Sequence, residues 1–200
     1  QTPIKYGCPF DCGLCPDHEQ HSCINLIDVT DYCNLSCPTC YASSNDVKKF
    51  LPLDKIEAMM DFAIDSEYGN AQILQISGGE PTTHSQILEI LKMAKSKKFK
   101  YIMLNTNGVK IANDENFAKE LSKLKGRFEV YMQFDGFKES TYKHLRGGNI
   151  FKLKQKAIEN LSKYEVETIA NKSNIYKRIK NTQVLIIDEV SMLDASTLES

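Results

Sequence analysis

Short apolar runs alternate along this chain with longer stretches in which apolar residues recur every three or four positions. The first run, Ile24-Asn25-Leu26-Ile27-Asp28-Val29-Thr30, reads as a strand. From residue 53, Ile56, Met59, Met60, Ala63 and Ile64 fall at helical spacing, with Asp54 and Glu57 placed to cap the start. Residues 72–76 read as a second strand, and Ile87, Leu91 and Ala94 mark one face of a second helix. Residues 101–104 predict a third strand, and Phe117, Leu121 and Leu124 a third helix. Residues 128–134 predict a fourth strand, followed by a helix over 151–164 that buries Leu153, Ala157, Ile158 and Leu161. The Met and aromatic positions of these helices are expected in the core. Alternation of this kind predicts an α/β fold with parallel strands and right-handed crossovers.

Chemistry is concentrated where the predicted strands end. Cys33, Cys37 and Cys40 follow the first strand with the spacing Cys-x3-Cys-x2-Cys. Three thiolates so spaced can hold three irons of a [4Fe–4S] cluster and leave the fourth open. Spacing alone also fits a zinc knuckle or three unrelated thiols. The second strand runs into Ser77-Gly78-Gly79-Glu80-Pro81-Thr82, the third into Asn105-Thr106-Asn107-Gly108, and the fourth, with Gln133 near its end, into Asp135-Gly136. In a (β/α) barrel, chemistry sits at the C-terminal ends of the strands. The Asn-Gly and Asp-Gly pairs are equally well explained as ordinary turns.

A second triplet of the same spacing, Cys8, Cys12 and Cys15, lies in a breaker-rich segment with no strand before it. It is expected to be a closed auxiliary metal site, with Cys23 as the fourth thiolate. His18 and His21 are further candidate ligands, and a zinc site with the same ligands is the rival.

The Cys33/Cys37/Cys40 triplet and the Gly-Gly-Glu-Pro turn, each at a strand's end and in this order, resemble the radical S-adenosylmethionine (SAM) superfamily. The N-terminal Cys-rich segment resembles the group that includes tetraether-lipid synthases and pterin-methylating proteins. The resemblance covers about residues 1–164. It implies a (β/α) barrel, incomplete in this chain, with a [4Fe–4S] cluster on Cys33, Cys37 and Cys40. It also implies reductive cleavage of SAM bound at the open iron, giving a 5′-deoxyadenosyl radical that takes hydrogen from an unactivated carbon of a lipid-like or pterin-like substrate. Backbone at Gly78 and Gly79, with Glu80 nearby and Pro81 fixing the turn, would bind the SAM amino group. Asn105, Thr106 and Asn107 would reach the ribose, with Gln133 and Asp135 on the same rim. A one-electron donor such as ferredoxin or flavodoxin, and an auxiliary iron–sulfur cluster or zinc, complete the expected set. Many members carry an aromatic residue just before the last cysteine. Here that position is Thr39, and Tyr41 is the neighbouring aromatic.

Three domains are expected: a Cys-rich segment over 1–23, the core over 24–164 and a foreign tail over 165–200. In the tail, Val184-Leu185-Ile186-Ile187-Asp188-Glu189 resembles the Walker B strand of Pif-family and RecD-like DNA helicases. No phosphate-cradling Gly-x4-Gly-Lys-Ser/Thr occurs in the 200 residues, which leaves a helicase fragment as a distant alternative. A zinc-binding interaction module is the other. A net charge of −1 gives no footprint for nucleic acid. No apolar run approaches the roughly 20 residues that cross a bilayer. Cysteines clustered as metal triplets point to a reducing, cytoplasmic setting.

Overall fold

The sheet is built from four parallel strands in simple chain order, each joined to the next through helix. In the computed structural model, which describes residues 22–40, 42 and 48–166, the strands are β1 (Ile24–Asp28), β2 (Ile73–Ser77), β3 (Tyr101–Thr106) and β4 (Phe128–Met132). Their order is β1-β2-β3-β4, all parallel, with Asp28 opposite Ser77, Leu74 opposite Ile102, and Asn105 opposite Tyr131.

The helices are α1 (Leu53–Ser66), α2 (Ile87–Ser96), α3 (Val109–Asn113), α4 (Glu115–Ser122), α5 (Glu139–Arg146) and α6 (Phe151–Lys163). A 3-10 turn, Pro81–Thr83, follows β2. Successive strand residues point to opposite faces, and helices cover one of them. Leu74, Ile76, Ile102, Leu104, Phe128 and Val130 are buried in one cluster with Ile56 and Met60 of α1, Ile90 and Leu91 of α2, and Leu161 of α6. Of the other parity, Ile73, Gln75, Met103 and Tyr131 are half-buried, Ser77 and Glu129 are buried, and Ile24, Leu26 and Asp28 on β1 are exposed. Helices on a single face are what a barrel wall requires, since its inner face must stay open to the barrel interior. Each fully buried Leu or Ile contributes about 1.5–3 kcal/mol to this layer.

Several local expectations change. Met59 is 41% exposed, and α1 starts behind Pro52 with no side-chain cap. Glu57 instead pairs with Lys97 at 2.9 Å. On α6, Leu153 and Ile158 are only half-buried, whereas Lys154 and Asn160 are buried. β4 stops at Met132, although Gln133 N–H still donates to the Thr106 carbonyl at 3.1 Å. Helices α3 and α5 are additional. The first has five residues, and the second buries only Tyr142 fully, so neither carries a readable apolar stripe.

Candidate functional site

The loops after β1, β2, β3 and β4 meet at the C-terminal end of the sheet. Parallel pairing extends past β1 and β2: Val29 N–H donates to the Ser77 carbonyl at 3.0 Å, Gly79 N–H to Thr30 at 2.8 Å, and Glu80 N–H to Tyr32 at 2.8 Å. The Gly-Gly turn therefore lies flat against the backbone that enters the cysteine loop. A Cβ on Gly79 would stand 2.4 Å from the Tyr32 carbonyl oxygen. One on Gly78 would stand 2.3 Å from that of Thr30, and Gly78 also has φ +132°. Only glycine fits at either position. Pro81 opens the 3-10 turn that follows, where its fixed φ is already suitable.

Glu80 is 1% exposed and serves as a hub. Its Oε1 accepts from Thr82 N–H (3.1 Å), Thr82 Oγ1 (2.5 Å) and Thr106 Oγ1 (2.7 Å), and its Oε2 accepts from Asn107 N–H at 2.7 Å. Asn107 Nδ2 in turn donates to Asn34 Oδ1 at 2.7 Å, tying the end of β3 to the cysteine loop. The carboxylate of Glu80 is thus committed to protein donors, as are the side chains of Thr106 and Asn107 to protein partners. Asn105 differs: it lies on the open face of the sheet, where its Nδ2 donates to Ser77 Oγ at 3.2 Å.

Behind β4, Asp135 is paired with Arg146 of α5, through Nε at 2.8 Å and through Nη2. With its amide oxygen turned toward the guanidinium, Gln133 accepts from Nη2 at 2.7 Å and Nη1 at 2.9 Å. Cys37 lies within electrostatic reach of the same guanidinium. Burial opposes its charge, but Asp135 and Cys37 hold its pKa above the ordinary value. Tyr142 supports this corner, accepting from Asp135 N–H at 3.2 Å and donating to the Gly136 carbonyl at 3.1 Å. Burial pushes its phenol well above the usual range.

Sequence reasoning missed Arg146 and Lys154. Arg146 sits in the last turn of a helix too polar to show an apolar stripe. Lys154 breaks the apolar pattern of α6, and a lysine on an otherwise inward stripe is the available signal. Its ammonium donates to the Asn107 carbonyl at 2.6 Å and the Gln133 carbonyl at 2.8 Å, and burial lowers its pKa to about 8.

The cysteine loop is short and held at several points. Cys40 N–H donates to the Cys37 carbonyl at 3.2 Å, and Leu35 N–H points at Cys33 Sγ, 3.4 Å away. Thr39 Oγ1 donates to the Leu145 carbonyl at 3.3 Å. Cys33, Cys37 and Cys40 are all half-buried. Burial raises the Cys33 thiol, and Glu80, Cys37 and Cys40 raise it further. Three thiols within electrostatic reach of one another repel when ionised, so the set suits a cationic partner that offsets all three charges. Among the described residues, no three His, Cys, Asp or Glu side chains gather closely enough to hold a single metal ion. A donor set spread over several irons fits the loop. Cys23 is free and exposed before β1. Cys8, Cys12, Cys15, His18, His21, Tyr41 and the tail carboxylates Asp188 and Glu189 lie outside the described residues.

Comparison with known proteins gives concordant results. The model of a family described as the radical SAM superfamily matches residues 27–179, past the boundary expected near 164. A 7,8-dihydro-6-hydroxymethylpterin dimethyltransferase of Methanocaldococcus jannaschii is 37% identical over 185 residues, covering 92% of this chain and 36% of that protein. A "Probable GTP 3′,8-cyclase" of Methanococcus aeolicus is 32% identical over 141 residues, or 66% of this chain and 45% of the relative. The chain therefore spans between about a third and a half of these relatives' lengths. Among solved structures, histidine-tagged anSMEcpe with bound AdoMet superposes with a TM-score of 0.60 at 25% identity, covering 79% of this chain and 48% of that one. Streptococcus suis SuiB bound to the precursor peptide SuiA superposes with the same TM-score at 19% identity, over 73% of this chain and 31% of its own, a likeness of fold alone. These comparisons lend no support to a helicase-like tail.

Proposed function

The chain belongs to the radical SAM superfamily, and on that premise we propose that Cys33, Cys37 and Cys40 hold a [4Fe–4S] cluster beside a SAM site formed at the Gly78-Gly79 turn. The observation that carries this reading is the pair of backbone hydrogen bonds from Gly79 to Thr30 and from Glu80 to Tyr32. They hold the SAM-binding turn and the cysteine loop as one unit. When bound, the cluster would supply the electron that cleaves SAM and yields a carbon radical able to take hydrogen from an unactivated position.

The residues of the chain divide the remaining work. Backbone at Gly78 and Gly79 meets the amino group of SAM, while Glu80, buried among protein donors, keeps that backbone in place. Arg146, oriented by Asp135 and Gln133, places a cation beside Cys37 and can pair with a carboxylate at the same rim. Asn105 is the strand-end side chain left to face the nucleoside.

Between a lipid chain and a pterin-like heterocycle, the open face of the sheet favours the heterocycle. Its row nearest the rim is Asp28, Ser77, Asn105 and Tyr131, all hydrogen-bonding side chains. Partial burial, with Asp31 close by, pushes the Asp28 carboxyl upward. The relative named as a pterin dimethyltransferase points the same way, and methyl transfer is the reaction proposed.

Cys8, Cys12, Cys15 and Cys23 are proposed to hold an auxiliary cluster or zinc. A ferredoxin- or flavodoxin-like protein is the proposed electron donor, in a reducing cytoplasm. Among the described residues no helix is long and apolar enough to cross a membrane. Anaerobic iron–sulfur reconstitution followed by titration with SAM tests the reading. A SAM-dependent change in the reduced-cluster spectrum, lost in the Cys33→Ala/Cys37→Ala/Cys40→Ala variant, is expected. A stoichiometric zinc content with no iron uptake would make the chain a zinc-binding module instead.

A further inference from the structure

Lys154 is 1% exposed, and its ammonium rests on two carbonyl oxygens rather than on a carboxylate. Glu80 is equally buried, and every donor bonded to it is neutral. A buried ammonium and a buried carboxylate, each without a directly bonded counter-ion, would both be costly in isolation. Asp135 and Arg146 also act on the ammonium, with opposite signs, but they are paired with each other; Lys154 and Glu80 meet through one residue. Asn107 presents its carbonyl to Lys154 at 2.6 Å and its N–H to Glu80 at 2.7 Å, so its backbone lies between the two charges with its dipoles aligned to both. The second Lys154 bond, to the Gln133 carbonyl at 2.8 Å, ties the same ammonium to the end of β4.

We infer that Lys154 is a positioning residue of the SAM site: with Glu80 it forms a buried ion pair relayed through the Asn107 backbone, which fixes the rim of β3 and β4 against the cysteine loop. The pairing explains why α6 carries a lysine on an inward position. It also explains how Asn107 holds its side chain on Asn34, whose loop bears the three thiols. Lys154 reaches the site through Asn107 and Gln133, the two residues whose carbonyls it holds.

The cofactor half of this inference rests on the proposed SAM site; the pairing itself does not. The test is a double-variant cycle on the full chain with Lys154→Met, Glu80→Gln and the two combined. Iron content and SAM affinity are measured after reconstitution, and unfolding midpoints on the apo-protein. Lys154→Met is expected to keep its iron while binding SAM roughly 10–100-fold more weakly, the range typical of residues that orient a site's ligands. The combined variant should lose less than the product of the two single losses. Its apo-protein midpoint should likewise fall by less than the sum of the single shifts, because removing both charges leaves neither one buried alone. Unchanged SAM affinity in Lys154→Met, or losses that multiply independently, would overturn the inference. If Lys154→Met alone does not fold, the combined variant decides: a folded, iron-loaded protein supports the pair, and an unfolded one refutes it. A wild-type chain that takes up neither iron nor SAM contradicts the proposed function, while the apo-protein cycle still decides whether Lys154 and Glu80 are paired.

Discussion

Asn107 Nδ2 and Asn34 Oδ1 are joined by a 2.7 Å hydrogen bond across 73 residues of sequence, linking the end of β3 to the loop that carries the three cysteines. Asn107 is itself clamped by Glu80 at its N–H. The cysteine loop is therefore positioned from three strand ends at once: by Thr30 and Tyr32 on its own strand's extension, by the Gly-Gly turn after β2, and by Asn107 after β3.

Gly79→Ala should break this arrangement at its tightest point. The added methyl would sit 2.4 Å from the Tyr32 carbonyl oxygen and 2.7 Å from that of Asp31, both backbone atoms that cannot step aside without moving the loop. The expected result is a folded protein that takes up less iron at the Cys33 triplet, because the core below the rim is untouched. Iron uptake equal to wild type would show that the close approach does not govern the loop.

Arg146→Met should be costly even without cofactor. Asp135 would remain buried, its side chain 9% exposed, after losing its bidentate partner. Removing one member of a buried pair typically costs about 3–5 kcal/mol. Denaturant unfolding of the apo-protein measures this, and Asp135→Asn/Arg146→Met should recover part of the loss. An Arg146→Met protein as stable as wild type would contradict the pairing.

Lys154 gives the stability a signature in pH. The folded protein releases this proton near pH 8, whereas the unfolded chain holds it up to an ordinary value of 10.5. Between those values the unfolded state binds more protons, so stability rises with pH. The gain is up to ~3 kcal/mol, present in full only above the unfolded value and absent below pH 8. Unfolding free energies of wild type minus those of Lys154→Met should climb across that window. A flat difference would mean that the lysine titrates normally.

What the sequence makes legible is whatever depends on local period and spacing. The four strands, the apolar faces of α1, α2 and α4, and the placement of both motifs at strand ends all follow from patterns a few residues long. The misses have a common physical origin. Lys154 and Arg146 gain their partners only through tertiary contacts, at Asn107 and Gln133 for one and at Asp135 for the other; the break in the apolar stripe of α6 marks Lys154 but does not name what it bonds. The motif puts Glu80 near the SAM amino group, yet its carboxylate has four protein donors, supplied by residues two to 27 positions away. Met59 lies on the apolar stripe of α1 but is 41% exposed, beside the exposed Phe62 and Leu26 near the outer edge of β1. A periodic stripe predicts which way a side chain points, not whether a neighbour covers it.

The most direct test of the central claim is formation of 5′-deoxyadenosine by the reconstituted chain under strong reductant. The wild type should bind about four irons at the Cys33 triplet beyond those retained by Cys33→Ala/Cys37→Ala/Cys40→Ala. It should also release 5′-deoxyadenosine from SAM, which the triple variant should not. Equal iron content in the two proteins, or 5′-deoxyadenosine formation that survives loss of all three cysteines, would contradict the account.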